Sequence, residues 1–190
     1  SYEYVLLIFC GLVPFLTFAE SLGTGIPSIV ANVGLIKNTL YPIELIPVKA
    51  VFSSQGTQTI GIASLLIILG YLGKLSVYAP MVFVIWIFQI MFTVGLIWIL
   101  SSLNVYIRDL QNITSILTLF LMMVSPIAYT PDMVPEYLRP YLGINPLYYF
   151  ITAYQETLML GDYPGNEVMF PIFILGLGFF VVGYWFITKM

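Results

Sequence analysis

Charged residues are so sparse in this chain that they leave long stretches without a formal charge, and this pattern constrains its fold most. Charged side chains make up 8% of the 190 residues, against about 25% in an ordinary globular domain. Six basic and nine acidic residues cannot cover the surface of a soluble fold of this length. The sequence therefore predicts an all-α, polytopic helical membrane protein.

Five stretches are apolar and long enough to cross a bilayer, which takes about 20 residues. The predicted spans are residues 4–22, 48–72, 80–103, 110–130 and 168–188. Connections rich in Lys and Arg stay in the cytoplasm. One side carries Lys37, Lys49, Arg108 and Lys189, and the other carries Lys74 and Arg139. We therefore expect the chain to begin outside and to end in the cytoplasm.

The sequence carries little that could perform covalent chemistry. It contains no histidine and a single cysteine, Cys10, so an internal disulfide is excluded. No carboxylate lies near the middle of a predicted span, which disfavours an intramembrane enzyme and proton-coupled transport. The net charge of −3 and the lack of a basic cluster exclude nucleic-acid binding. Because no phosphate-binding glycine loop occurs, any energy source is expected on another chain.

The second predicted span is polar in its first half. Residues 53–59 read Ser-Ser-Gln-Gly-Thr-Gln-Thr, and the apolar half that begins at Ile60 is too short to cross alone. The polar side chains must therefore find partners or water at membrane depth. Either they form interhelical hydrogen bonds in a tight bundle, or they line a water-filled path. The candidates for lining such a path are Ser54, Gln55 and Gln58.

The connection between the first two spans predicts a short helix. Asn32 can cap a helix that ends before Pro42, because Pro42 disfavours the helical conformation at Tyr41. Pro47 can then open the next helix, where its missing N–H costs nothing. The short helix either rests on the bilayer surface or docks onto a soluble partner.

Two further connections carry signals. Arg108 can extend to the cytoplasmic headgroups, and Asp109 can cap a helix that begins at Leu110. The outer connection, 130–167, is rich in tyrosine and proline, and 141–155 predicts a re-entrant helical hairpin. Its tyrosines form an interfacial belt, or some stack on sugar rings along a path. The tyrosines considered for the path are Tyr129, Tyr148, Tyr149 and Tyr154.

Several motifs occur in a fixed order along these connections. They are Asn32-x-x-Leu35-Ile36-Lys37-x4-Pro42-x-Glu44-x-x-Pro47, Arg108-Asp109, Ser125-Pro126-Ile127-x-Tyr129, Val134-Pro135 and Asn145-Pro146-Leu147. No single piece is specific, but the ordered set covers nearly the whole chain. It resembles the membrane subunits of bacterial ABC-type permeases that export polysaccharides.

The resemblance implies a six-span permease that works as a homodimer with two cytoplasmic ATPase subunits in the bacterial inner membrane. ATP and Mg²⁺ would be bound by the ATPases, so this chain needs no cofactor of its own. The substrate would be a lipid-linked glycan: the O-antigen of lipopolysaccharide, a capsular polysaccharide or a teichoic acid. Since Ser1 is not an initiator methionine, we expect this five-span chain to lack the segment that carries the first span.

The resemblance also assigns roles to two connections. Segment 32–40 corresponds to the coupling helix, which meets the ATPase, and 131–161 corresponds to the outer gate. The residues expected to couple to the ATPase are Asn32, Leu35, Ile36, Lys37 and Glu44. One position departs from the pattern, because the family often has Tyr-Arg where this chain has Tyr154-Gln155.

Two alternatives to a polysaccharide exporter stay open. A drug or small-lipid exporter of the same architecture is the alternative within the class, and a non-transporting membrane scaffold is the alternative outside it. The tyrosine-rich outer connection and the polar half of the second span favour a sugar polymer. The same polar half argues against a passive scaffold, because polar groups at membrane depth are costly without a role.

Overall fold

The computed structural model of the chain describes residues 2–38, 41–129, 133–135, 137 and 139–189, except the side chains of residues 38, 139 and 140. All regular structure in this part is helical. The helices are α1 (Tyr2–Gly25), α2 (Ser28–Ala31), α3 (Val33–Asn38), α4 (Leu45–Tyr71), α5 (Met81–Tyr106), α6 (Leu110–Val124), α7 (Arg139–Leu142), α8 (Pro146–Gln155) and α9 (Asn166–Lys189), with a π-helical turn over Glu156–Leu160. The prediction of an all-α polytopic membrane protein is confirmed.

Four of the predicted spans appear as helices long and apolar enough to cross a membrane, namely α1, α4, α5 and α9. The fifth, α6, has 15 residues, or about 22 Å at ~1.5 Å per residue, which is shorter than a hydrocarbon core of about 30 Å. It ends at Val124 rather than near residue 130 because Pro126 forces Ser125 into an extended conformation (φ −78°, ψ 142°). The count of five crossings therefore stays a prediction.

Helices α5 and α9 pack along each other with their backbones in contact. A Cβ atom on Gly95 of α5 would lie 2.1 Å from the carbonyl oxygen of Phe179, and one on Gly183 of α9 would lie 2.2 Å from that of Gly95. Only glycine permits this approach. Small residues at such crossings maximise the van der Waals contact that holds helices together in lipid, where apolar burial gives little driving force.

The core of the bundle centres on Phe92 of α5. Its ring centroid lies 6.0 Å from that of Phe18 in α1, 5.5 Å from Phe150 in α8 and 5.0 Å from Phe179 in α9. Each aromatic pair of this kind contributes about 0.5–1.5 kcal/mol beyond burial alone. The cluster joins α8, on the predicted outer side, to three of the long helices.

Candidate functional site

The predicted coupling helix (32–40) corresponds to α3, and the short helix α2 directly precedes it. We call α2 and α3 together the coupling segment (residues 28–38). Asn32 lies at their junction, where its Nδ2 donates to the carbonyl of Ser28 at 2.8 Å and its own carbonyl accepts from the amide of Ile36 at 3.1 Å. Helix α3 ends at Asn38, and residues 39 and 40 of the predicted helix lie outside the described residues.

The coupling segment presents an apolar residue and a charge to its surroundings. Leu35 is 43% exposed, and Lys37, two residues further along α3, is also exposed. Ile36 differs from its predicted role, because it is half-buried and packs against the core of the bundle. Ile36 therefore anchors α3, and Leu35 and Lys37 form the surface that a partner could contact.

Glu44 lies where the connection enters α4. Its side chain forms no capping hydrogen bond, but its backbone carbonyl accepts a hydrogen bond from Nε1 of Trp98 in α5 at 2.8 Å. Because Trp98 is buried, this bond fixes the start of α4 to α5. Glu44 thus contributes to the coupling region through its backbone.

The Arg108-Asp109 pair is exposed between α5 and α6. Asp109 occupies the N-cap position of α6, as predicted, but its side chain accepts no capping hydrogen bond. The reason is its helical backbone conformation (φ −74°, ψ −11°), since a capping side chain reaches the first-turn amides from an extended one. The carboxylate still lies at the positive end of the helix dipole.

The polar half of α4 enters a buried hydrogen-bond network that joins four helices. Nε2 of Gln58 donates to Oε1 of Gln89 in α5 at 2.9 Å and to the hydroxyl of Tyr154 in α8 at 2.7 Å. The Tyr154 hydroxyl donates to Gln89 Oε1 at 2.9 Å, and Gln89 Nε2 donates to the carbonyl of Pro14 in α1 at 3.0 Å. Gln58, Gln89 and Tyr154 are at most 3% exposed.

The network decides between the two interpretations of this half of α4. Gln58 and Tyr154 bind each other inside the bundle, and Ser54 is buried with its hydroxyl directed to the carbonyl of Ala50. None of these three faces a path in this conformation. Gln55 is half-buried, and its Oε1 accepts from Nε1 of Trp86 in α5 at 2.8 Å. The structure thus favours interhelical hydrogen bonding.

Replacing Gln89 by leucine is expected to lower the stability of the bundle by about 2 kcal/mol, because Gln58 and Tyr154 lose a buried partner. Thr93→Val is the matched control, since among the described residues the buried Thr93 hydroxyl bonds to the carbonyl of Gln89 in its own helix. The free energy of unfolding of both variants is measured in mixed detergent. Equal stabilities of Gln89→Leu and wild type would contradict this role.

The remaining tyrosines predicted for a path are all half-buried, so part of each reaches the surface. The hydroxyl of Tyr129 donates to the carbonyl of Val124 at 3.0 Å. Tyr149 donates to the carbonyl of Gly143 at 3.2 Å, and its ring lies edge-on to that of Tyr148 at 5.2 Å. These three stay candidates for contact with a substrate.

Two of the ordered motifs contact each other on the predicted outer side. Nδ2 of Asn145 donates to the hydroxyl of Ser125 at 2.9 Å, while its Oδ1 caps α8 by accepting from the amide of Leu147 at 3.0 Å. Gln155, which stands where the family often has arginine, donates to the carbonyl of Pro126 at 2.9 Å. Residues 145 and 155 of the outer connection are therefore hydrogen-bonded to the two residues that follow α6.

Helix α6 carries a set of residues that the sequence analysis missed. Gln111, Ser115 and Thr118 follow one another at helical spacing, and we call them the polar stripe. Gln111 and Ser115 are exposed and Thr118 is half-buried, whereas Thr114 is the buried residue of this helix. Ile116, on the other exposed side, is 71% exposed. The spacing of these three residues, i, i+4 and i+7, places them on one side of a helix, and this pattern can be recognised in the sequence.

The sequence of this chain matches a known family of membrane transporters. Residues 5–159 match the model of the ABC-2 type transporter family, and the chain belongs to that family. Its relatives include proteins named O-antigen export system permease protein RfbA. Two from Klebsiella pneumoniae are 29% and 27% identical over 99% of this chain and 73% of their own length. One from Myxococcus xanthus is 27% identical over 90% of this chain and 66% of its own.

These matches confirm the resemblance that the ordered motifs carried. They extend over the coupling segment, the long helices α1, α4 and α5, and the outer segment through residue 159. The chain is a multi-pass membrane protein of the ABC-2 type, and its apolar helices are the part that would be set in the bilayer.

Proposed function

We propose that this chain is the membrane permease subunit of an ATP-driven exporter that moves a lipid-linked polysaccharide across the bacterial cytoplasmic membrane. The observation that carries the proposal is the near full-length similarity to O-antigen export permeases within the ABC-2 family. O-antigen, a capsular polysaccharide and a teichoic acid are the substrate classes. Two copies of the chain would assemble with two cytoplasmic ATPase subunits, which hold the ATP and Mg²⁺.

A polysaccharide needs a hydrated path because its hydroxyl groups cannot be desolvated in hydrocarbon without large cost. The polar stripe of α6 supports such a path, since Gln111 and Ser115 are exposed on the surface of the single chain. Facing lipid, their polar groups would lack partners. Facing a second copy across a gap, they would line a wet corridor, with half-buried tyrosines near its outer end.

Cysteine labelling distinguishes this wet surface from the bundle interior. In a Cys10→Ala background, Ser115→Cys is expected to react with a water-soluble maleimide, whereas Gln58→Cys is expected to be protected because Gln58 is 1% exposed. Ile116→Cys is the matched control, since it is exposed but lies on the apolar side of α6. Equal protection of Ser115→Cys and Ile116→Cys in every nucleotide state would exclude α6 from the path.

Transmission from the ATPases would run through the coupling segment. Leu35 and Lys37 offer an outer contact surface, Ile36 anchors α3 to the core, and the Trp98 bond to Glu44 fixes the start of α4. A partner shifts the equilibrium between two states of the permease only if it binds them with different affinities. We expect the coupling segment to supply that difference.

Substrate-stimulated ATP hydrolysis tests the assignment. The permease is purified together with its ATPase partner, and the hydrolysis rate is measured with a lipid-linked glycan and with hydrophobic drugs. We expect stimulation by the glycan alone. Stimulation by drugs alone would favour the drug or small-lipid exporter, and failure to assemble with any ATPase would favour a scaffold.

A further inference from the structure

A cavity of about 300 Å³, lined by both polar and apolar side chains, lies between the end of α1, the coupling segment and the first turns of α4. Its polar lining consists of Thr24, Ser28, Asn32, Tyr41, Lys49 and Ser53. The cavity thus borders the coupling segment without belonging to the polar stripe or to the buried glutamine network.

Lys49 gives the cavity its charge. Among the described residues that line it, Lys49 is the one with a formal charge. The ion pair found in this part of the chain joins Lys74 to Glu3, and Lys49 has no carboxylate partner there. Glu20, on the neighbouring turn of α1, directs its carboxylate to the Thr57 hydroxyl at 2.9 Å. An unpaired ammonium beside a cavity favours an anionic ligand.

Three hydroxyl groups of the lining keep the capacity to accept a hydrogen bond. Those of Thr24, Ser28 and Ser53 donate to backbone carbonyls of Glu20, Gly25 and Lys49 at 2.9, 2.6 and 2.9 Å. Their protons are therefore used within the chain, and their oxygen lone pairs remain for a donor. A ligand that matches the lining carries an anion for Lys49 and hydroxyl groups for these oxygens.

The position of Lys49 along α4 places the cavity at the level of lipid headgroups. Helix α4 has 27 residues, or about 40 Å at ~1.5 Å per residue, against a hydrocarbon core of about 30 Å. Lys49 lies in its second turn, so its ammonium is near the end that projects from the core. Phosphate groups occur at this level on both faces of a bilayer.

We propose that this cavity binds the phosphate group of a membrane lipid whose headgroup also carries hydroxyl groups, with Lys49 pairing with the phosphate. Phosphatidylglycerol and a lipid-linked sugar phosphate share this chemistry. The headgroup touches α1, α2 and α4 together, so its binding holds the coupling segment against α4. The proposal stands independently of which substrate the permease moves.

Native mass spectrometry of the purified full-length protein tests the site. Phosphatidylglycerol and phosphatidylcholine are titrated separately, and both carry a phosphate. We expect phosphatidylglycerol to bind about tenfold more tightly, because its headgroup has hydroxyl groups and no cation, whereas choline brings a second positive charge next to Lys49. Lys49→Ala is expected to remove this preference and Lys49→Arg to keep it. Lys189→Ala is the matched control, since Lys189 is a lysine at the end of α9, outside the cavity.

A second pair of variants tests the cavity without changing charge. Ala50→Phe places a large side chain in the lining and is expected to weaken phosphatidylglycerol binding, whereas Ala63→Phe, exposed further along α4, is expected to leave it unchanged. Displacement by a lipid-linked sugar phosphate would identify that lipid as the source of the headgroup, and its failure would identify bulk phospholipid. Equal effects of Lys49→Ala and Lys189→Ala, or equal binding of both phospholipids, would overturn the proposal.

Discussion

Replacing Gly95 by valine is expected to abolish the folded protein. A Cβ at this position would lie 2.1 Å from the carbonyl oxygen and 2.2 Å from the carbonyl carbon of Phe179. Because these are backbone atoms, no rotamer change relieves the clash, and α9 would have to move away from α5. The move would also disturb the contact between Phe92 and Phe179. We expect a loss of more than about 4 kcal/mol, in the range of severe core mutations.

The matched control is Gly178→Val on the neighbouring helix α9, because a Cβ at Gly178 meets nothing within 4 Å. Size-exclusion profiles and thermal melting in detergent measure both variants. We expect Gly178→Val to resemble the wild type and Gly95→Val to aggregate. A monodisperse Gly95→Val protein with an unchanged melting temperature would show that the two backbones are not in contact.

Replacing Leu35 by aspartate is expected to abolish assembly with the ATPase and, with it, transport. Leu35 is 43% exposed on α3, so a charge there leaves the core intact but places a desolvated carboxylate in a protein interface. Ile36→Asp is less informative, since Ile36 packs against the core and its loss would disturb folding as well.

Val77→Asp is the matched control for this substitution. Val77 is 91% exposed in the connection between α4 and α5, at the opposite end of α4 from the coupling segment. Affinity copurification is expected to recover the ATPase with Val77→Asp but not with Leu35→Asp, while both variants insert in the membrane. Recovery of a stable complex with Leu35→Asp would show that the coupling segment does not form the contact with the ATPase.

The helical class and most of the long helices could be predicted because hydrophobic length is a property of the sequence alone. Stretches without charge gave the approximate extents of α1, α4, α5 and α9. The predicted span 110–130 exceeds α6 because the apolar run continues past Pro126, whereas the residue before proline avoids the helical conformation. The end of α6 could therefore have been predicted from the position of Pro126.

Partner choice between helices could not be predicted in the same way. The polar residues around Gln58 were recognised as needing partners, but Gln89 and Tyr154 are 31 and 96 residues away. Which faces meet depends on how the helices pack, and packing is set by contacts such as that between Gly95 and Phe179. Consequently the sequence left the path and bundle interpretations open, and the structure separates them.

The motifs were more informative than the individual side chains. Their order indicated the family, and the structure brings Asn145 and Ser125 of two separate motifs into contact at 2.9 Å. The roles expected of single residues were less secure, since Ile36 anchors its helix and Asp109 does not cap through its side chain. Local sequence patterns therefore identify a functional segment, whereas the packing around that segment determines which of its atoms form contacts.

Translocation in proteoliposomes measures ATP-driven export of the glycan itself. The permease and its ATPase are reconstituted in vesicles with a lipid-linked glycan, and ATP is added on the ATPase side. A membrane-impermeant glycan hydrolase is then added on the same side, and the glycan that it cannot cut is the glycan that has crossed. We predict ATP-dependent transfer by the wild type and none by Leu35→Asp. Transfer without ATP or without the ATPase, or a glycan that never crosses while a hydrophobic drug does, would contradict the account.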